Sequence, residues 1–225
     1  MVSTPQTLME MYRAARRHFG HQGWWPGDGA LEICVGAILT QNTNWANVEK
    51  AIANLKAADA LSVSALHAMP LQALARLIRP AGYFNIKARR LKNFIARVHE
   101  QSDDDIEAFL DRPAQALREE LLSISGIGRE TADSIVLYAA GKCTFVVDAY
   151  TCRILLRHHL IDADYDYEAV KELLESALPH DIKLFNDFHA QFVAVGKHYC
   201  RPKARCAGCP LEHLPHDPLA GTEAY

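Results

Sequence analysis

The sequence contains no unbroken apolar run approaching the roughly 18 residues that a membrane helix requires, which excludes a spanning segment of that kind. Its first residues, Met1-Val2-Ser3-Thr4-Pro5, lack a hydrophobic signal core, so a cytoplasmic location with no membrane partner is expected. Charge of one sign is lacking too. With 24 Lys and Arg against 27 Asp and Glu the net charge is −3, so affinity for a polyanion must come from local patches and backbone amides. Cysteine is scarce: of six, Cys34, Cys143 and Cys152 are scattered, and the other three crowd into residues 200–209. In a reducing compartment that distribution favours a metal-binding loop and buried thiols over disulfides. Convincing polar–apolar alternation is missing, as are internal repeats, low-complexity tracts and flexible linkers.

Helical periodicity runs through nearly the whole chain, in a composition that is 49% hydrophobic and sufficient for one large core or two small ones. Thr4-Pro5 forms a cap and first-turn pair for a helix ending near Phe19. Residues 30–41 are apolar almost all round, the pattern of a buried central helix. Further helices are predicted near 44–57, 61–67, 71–79, 85–100, 104–110, 114–122, 129–140, 149–159, 166–177 and 181–197. After Cys200 the Pro, His and Gly content leaves little room for regular structure. The expected fold class is all-α.

Residues 121–135, Leu-Leu-Ser-Ile-Ser-Gly-Ile-Gly-Arg-Glu-Thr-Ala-Asp-Ser-Ile, read as a helix, a tight turn and a second helix. Gly126 and Gly128 permit a turn that a Cβ would obstruct. The turn leaves unpaired N–H groups at a helix start, near Arg129 and Thr131, where a phosphate oxygen can dock. Farther on, Asp148 follows the apolar pair Val146-Val147. The plainer account of Asp148 is an N-cap for the helix that begins at Ala149. A capping aspartate is held rigidly, however, and the same carboxylate can serve catalysis. Between Lys87 and Arg97 stand five cations and no acid, either a solvated helix face or a contact for nucleic acid. A phosphate cradle followed by a placed acid suggests chemistry on nucleic acid.

In this order the segments resemble those of the endonuclease III-like helix-hairpin-helix DNA glycosylase superfamily. Leu39-Thr40-Gln41-Asn42-Thr43 resembles its glutamine-bearing loop that enters the duplex. Gly82-Tyr83-Phe84-Asn85-Ile86-Lys87-Ala88 resembles its Gly-aromatic-Asn-x-Lys-Ala segment, and Cys200, Cys206 and Cys209 resemble part of its iron–sulfur loop. The likeness covers most of the chain. It implies two helical subdomains with a DNA groove and a base pocket between them: residues 1–21 with 136–199, and residues 22–135, followed by a cysteine loop and tail at 200–225. It also implies that Gln41, Lys87, Gly126, Gly128, Arg129 and Thr131 contact double-stranded DNA holding a damaged base. Asp148 is then the catalytic carboxylate, stabilising positive charge on the deoxyribose as the base leaves and orienting a water. A monomer is expected.

Superfamily members that also nick DNA use a lysine of the second hairpin helix to form a Schiff base. The matching position here is Glu130, which cannot form that imine. The resemblance therefore predicts a monofunctional enzyme of base excision repair that leaves an intact abasic site. Trp24-Trp25-Pro26 and Trp45 resemble, in position and aromatic character, the 3-methyladenine glycosylase branch, which lacks the lysine too. Indole rings can wall an everted base and attract a cationic one, and Glu130 either adds to that attraction or simply suits its helix dipole. An alkylated purine such as 3-methyladenine is the expected substrate. The alternatives are a mispaired or oxidised base, with or without abasic-site lyase activity, or a non-catalytic DNA-binding module. In the cysteine loop the first spacing is one residue short of the family's, and Pro215 falls where a fourth cysteine is expected. Cys200, Cys206 and Cys209, with His216 or His213 nearby, leave three options: a [4Fe–4S] cluster with a non-cysteine fourth ligand, a zinc site, or no metal.

Overall fold

The computed structural model describes residues 3–221; Met1, Val2 and residues 222–225, part of the expected outer subdomain and tail, lie outside the described residues. Among the described residues every regular element is a helix and no strand occurs. The chain divides into two compact units: a central unit, Trp25–Lys142, and a split unit made of the residues up to Trp24 and those from Cys143 onward. The central unit begins at Trp25 and runs past residue 135, where Val136 is buried in its core.

The central unit is built on α2 (Ala30–Thr40), whose residues from Cys34 to Leu39 are all buried. Around it lie α3 (Trp45–Ala57), α4 (Val63–Ala68), α5 (Leu71–Leu77) with a 3-10 turn at Arg79–Ala81, and α6 (Phe84–Ser102). Next come α7 (Ile106–Leu110), α8 (Ala114–Ser123) and α9 (Arg129–Ser134), which runs on into a π-helical turn at Ile135–Ala139. Ile38, Leu39, Leu55, Phe94 and Phe109 are fully buried and fill the core. One buried acid of α2, Glu32, is neutralised by Lys56 at 2.7 Å, as a charge in an apolar setting requires.

In the split unit, α1 (Thr4–Phe19) accompanies α10 (Ala149–Arg157), α11 (Tyr167–Ala177) and α12 (Ile182–His198). The cap of α1 sits one residue earlier than expected, at Ser3, whose N–H donates to Gln6 Oε1 at 3.1 Å. Leu8, Met11 and Ala15 of α1 and Phe185, Phe188 and Phe192 of α12 are buried. Asp187 of α12 accepts from Tyr12 Oη (3.0 Å) and Arg16 Nη1 (2.8 Å), so one buried carboxylate ties α1 to α12. The hydrogen bond and charge of Asp187 add to desolvation in raising the Tyr12 pKa.

Candidate active site

The hairpin in the central unit is α8, a turn and α9. Gly126 has φ +98°, and an added Cβ would collide with Arg90 Cγ, so both its backbone and its surroundings demand glycine. Gly128 caps α9 with ordinary extended geometry, and a Cβ there would meet nothing. Internal packing does not require a glycine at 128. Arg129 and Glu130 are exposed at the start of α9. Behind them Asp133, 0% exposed, accepts from Arg118 Nε (2.8 Å) and Nη2 (3.3 Å), a buried ion pair that clamps α9 to α8.

Two expected DNA contacts turn inward. Thr131 is buried, and its hydroxyl accepts from Gln41 Nε2 at 2.8 Å. Gln41 also donates to Gly126 O (3.3 Å) and accepts from Arg90 Nη1. The glutamine of the loop expected to enter the duplex is thus tethered to the hairpin, because a half-buried amide at the end of α2 seeks partners.

Lys87 turns inward as well. Only 1% exposed, it donates through Nζ to Leu39 O (2.8 Å) and Ala81 O (2.7 Å), carbonyls in the last turns of two helical segments. Burial, with Arg90 adding repulsion, lowers its pKa to about 8. It fixes the ends of the segments that lead into Gln41 and Tyr83. Lys92 likewise caps α4 through the carbonyls of Leu66, His67 and Met69, and Arg97 pairs with Glu120. Of the five cations read as a patch, Arg89 alone is classed as exposed. Sequence reading gave Tyr83 no separate role, yet it projects 68% exposed from a left-handed backbone (φ +43°), with exposed Ile86 close behind.

Trp25 and Trp45 meet edge to face at 5.2 Å, and Tyr138 of the π-helical turn lies 5.2 Å from Trp25. Gly36 lets both indoles approach α2, since a Cβ there would press on Trp25 at 3.2 Å and Trp45 at 3.4 Å. Trp24 belongs to the split unit, where Lys197 Nζ stands 5.4 Å from its ring centre.

Asp148 caps α10: its Oδ1 accepts from Thr151 N–H at 2.7 Å, and the side chain is 11% exposed. Its Oδ2 lies 3.6 Å from His189 Nε2 of α12. Burial alone would raise its pKa, but His189 and then Thr151 outweigh burial and hold it below the ordinary carboxylate value. The cap and a persistent negative charge are therefore one structure. Helix α12 approaches because Gly196 has no Cβ to collide with the Tyr150 ring. His189 and Lys197 escaped sequence reading; a glycine inside an otherwise helical pattern was the available sign of close packing there.

Cys200, Cys206, Cys209 and His216 line one pocket, together with Arg157 and His158. Arg157 is 2% exposed and donates to Cys200 Sγ (3.3 Å), Arg201 O (2.7 Å) and Pro202 O (2.8 Å), clamping the loop onto α10. The Nδ1 of His216 lies 2.8 Å from Leu214 O, an arrangement that leaves Nε2 to ligate. His213 instead faces Glu10 at 3.5 Å. Among the described residues, no group of three His, Cys, Asp or Glu side chains converges on one metal ion.

The model of the HhH-GPD superfamily base excision DNA repair protein matches residues 35–180. A protein of Methanocaldococcus jannaschii, named as a DNA repair glycosylase, is 44% identical over 210 residues, 93% of this chain and 96% of its own. Endonuclease III of Escherichia coli (strain K12) is 26% identical over 185 residues, 82% of each chain. Among solved structures, the 3-methyladenine DNA glycosylase of H. pylori bound to 1,N6-ethenoadenine matches with a TM-score of 0.75 at 27% identity, over 87% of this chain and 98% of that one. A non-covalent endonuclease III–DNA complex matches in fold, with a TM-score of 0.82 at 22% identity over 96% and 97%. With more than half its length matched by the family model and a 44% identical relative spanning nearly all of it, the chain belongs to the HhH-GPD superfamily of base excision DNA repair proteins, as a DNA glycosylase.

Proposed function

We propose that this glycosylase is monofunctional and removes alkylated purines, 3-methyladenine among them, from double-stranded DNA. The observation that carries the reading is Asp148, capped, ionised and backed by His189. As the base leaves, its negative charge stabilises the cationic sugar, and the carboxylate takes the proton of the attacking water. Glu130 occupies the position of the nucleophilic lysine, and Lys87 is too buried to replace it. The open amide end of α9 at Gly128, with Arg129 beside it, suits a phosphate. Exposed Tyr83 offers a ring for stacking against the opened duplex. Trp25, Trp45 and Tyr138 supply an aromatic wall, and the alkyladenine-bound relative supports alkylated purines over oxidised pyrimidines.

In the cysteine loop, soft thiolates with one imidazole are donors that suit a [4Fe–4S] cluster. Cys200, Cys206, Cys209 and His216 would hold it, and its contribution would be to order the loop.

The test is single-turnover base release from duplexes holding 3-methyladenine, thymine glycol, uracil or a G·A mispair. Release of the methylated base should dominate, and Asp148→Asn should slow it by about 10²–10³-fold, with no borohydride-trapped DNA adduct. Full activity in Asp148→Asn, or preference for thymine glycol, would overturn the reading.

A further inference from the structure

On α12 the split unit presents a second charge that hydrolysis of a cationic base does not need. Lys197 lies in the last turn of α12, two helical turns beyond His189, with its ammonium over the face of Trp24 at 5.4 Å and within the electrostatic reach of Asp148. A lysine at a helix C-terminus is explained by the dipole alone. The dipole does not explain why this one lies over an indole, next to the Gly196 that packs on Tyr150 two residues after Asp148. Partial desolvation, opposed by Asp148, lowers its pKa, which makes it a better proton donor than an ordinary surface lysine. N-methylated purines that carry a positive charge depart as neutral bases and need no acid, whereas an uncharged base departs with a surplus electron pair.

We propose that Lys197 is the general acid for uncharged bases, extending the enzyme's range from cationic methylpurines to uncharged alkylated purines such as ring-fused adenines. The proposal rests on the reading of Asp148 as the catalytic acid of a glycosylase. In the step, the N-glycosidic bond breaks and its electron pair passes to the base. One Nζ–H proton moves to a ring nitrogen of the departing base, water adds to C1′, and the proton lost by that water goes to Asp148. Solvent restores the proton on Lys197. The same ammonium repels a base that is already cationic, so the residue trades one substrate class against the other.

The experiment measures single-turnover release of 1,N6-ethenoadenine (uncharged) and 7-methylguanine (cationic) by wild type, Lys197→Met, Lys197→Arg and Asp148→Asn, with thermal melts confirming folding. Lys197→Met should slow ethenoadenine release by about 10²-fold and speed 7-methylguanine release several-fold. Lys197→Arg keeps the charge but holds its proton too tightly to donate it, so it should slow ethenoadenine release without the gain on 7-methylguanine. Equal slowing of both bases by Lys197→Met, or no change in either, overturns the role of Lys197 while Asp148→Asn remains inactive. The role also falls if wild type releases no ethenoadenine. Full activity of Asp148→Asn would instead bring down the underlying reading of the site.

Discussion

Lys87 carries a charge that the fold spends internally. Its two carbonyl partners sit at the ends of the segments leading to Gln41 and Tyr83, so one ammonium sets where both side chains leave the central unit. The pKa of about 8 in the folded protein lies below the ordinary 10.5. Between those values the unfolded chain keeps the proton that the folded chain releases, so this group makes stability rise with pH across that window. Chemical denaturation of wild type and Lys87→Met should therefore show a gap that changes in favour of wild type from pH 8 to 10.5. A gap that is constant, or that moves the other way, refutes the assignment. Sequence could not reveal this use of Lys87, because a lysine on a helix looks the same whether it meets a phosphate or two buried carbonyls.

Helices were legible because their signals are local: the apolar stripe of α1, the all-round apolar α2 and Asp148 at the head of α10 all depend on neighbours in sequence. The pairings that join helices were not. Asp133 and Arg118 stand 15 residues apart, and only the hairpin brings them to 2.8 Å. Asp133→Asn removes the buried carboxylate to which Arg118, at 12% side-chain exposure, donates, and breaking such a pair should cost about 3–5 kcal/mol in urea denaturation. Replacing both, as Asp133→Leu with Arg118→Met, should recover most of that loss. A single variant as stable as wild type would show that the pair does not hold α9 to α8. Gly126 and Gly128 looked alike in sequence, yet Gly126 alone has positive φ and a neighbour, Arg90, that excludes a Cβ.

At the scale of the whole molecule, Arg157 joins α10 to the cysteine loop through a thiol and two carbonyls. Burial raises the Cys209 thiol to about 11, so metal binding must displace its proton. Protein purified without oxygen should contain iron and acid-labile sulfide with broad visible absorbance, and Cys209→Ser and His216→Ala should each reduce the iron content. Zinc without sulfide, or three freely titratable thiols and no metal, would refute the cluster. By itself the sequence determined the helical class, the hairpin, the capping aspartate and the family, since each is written in short-range spacing of apolar, glycine and acidic residues. Tertiary structure alone decided that Lys87, Thr131 and Gln41 face inward, that Trp25 meets Trp45, that His189 faces Asp148, and that Lys197 lies over Trp24. Those outcomes depend on which distant helices desolvate a polar group and which atoms they offer in return, and no local pattern encodes that.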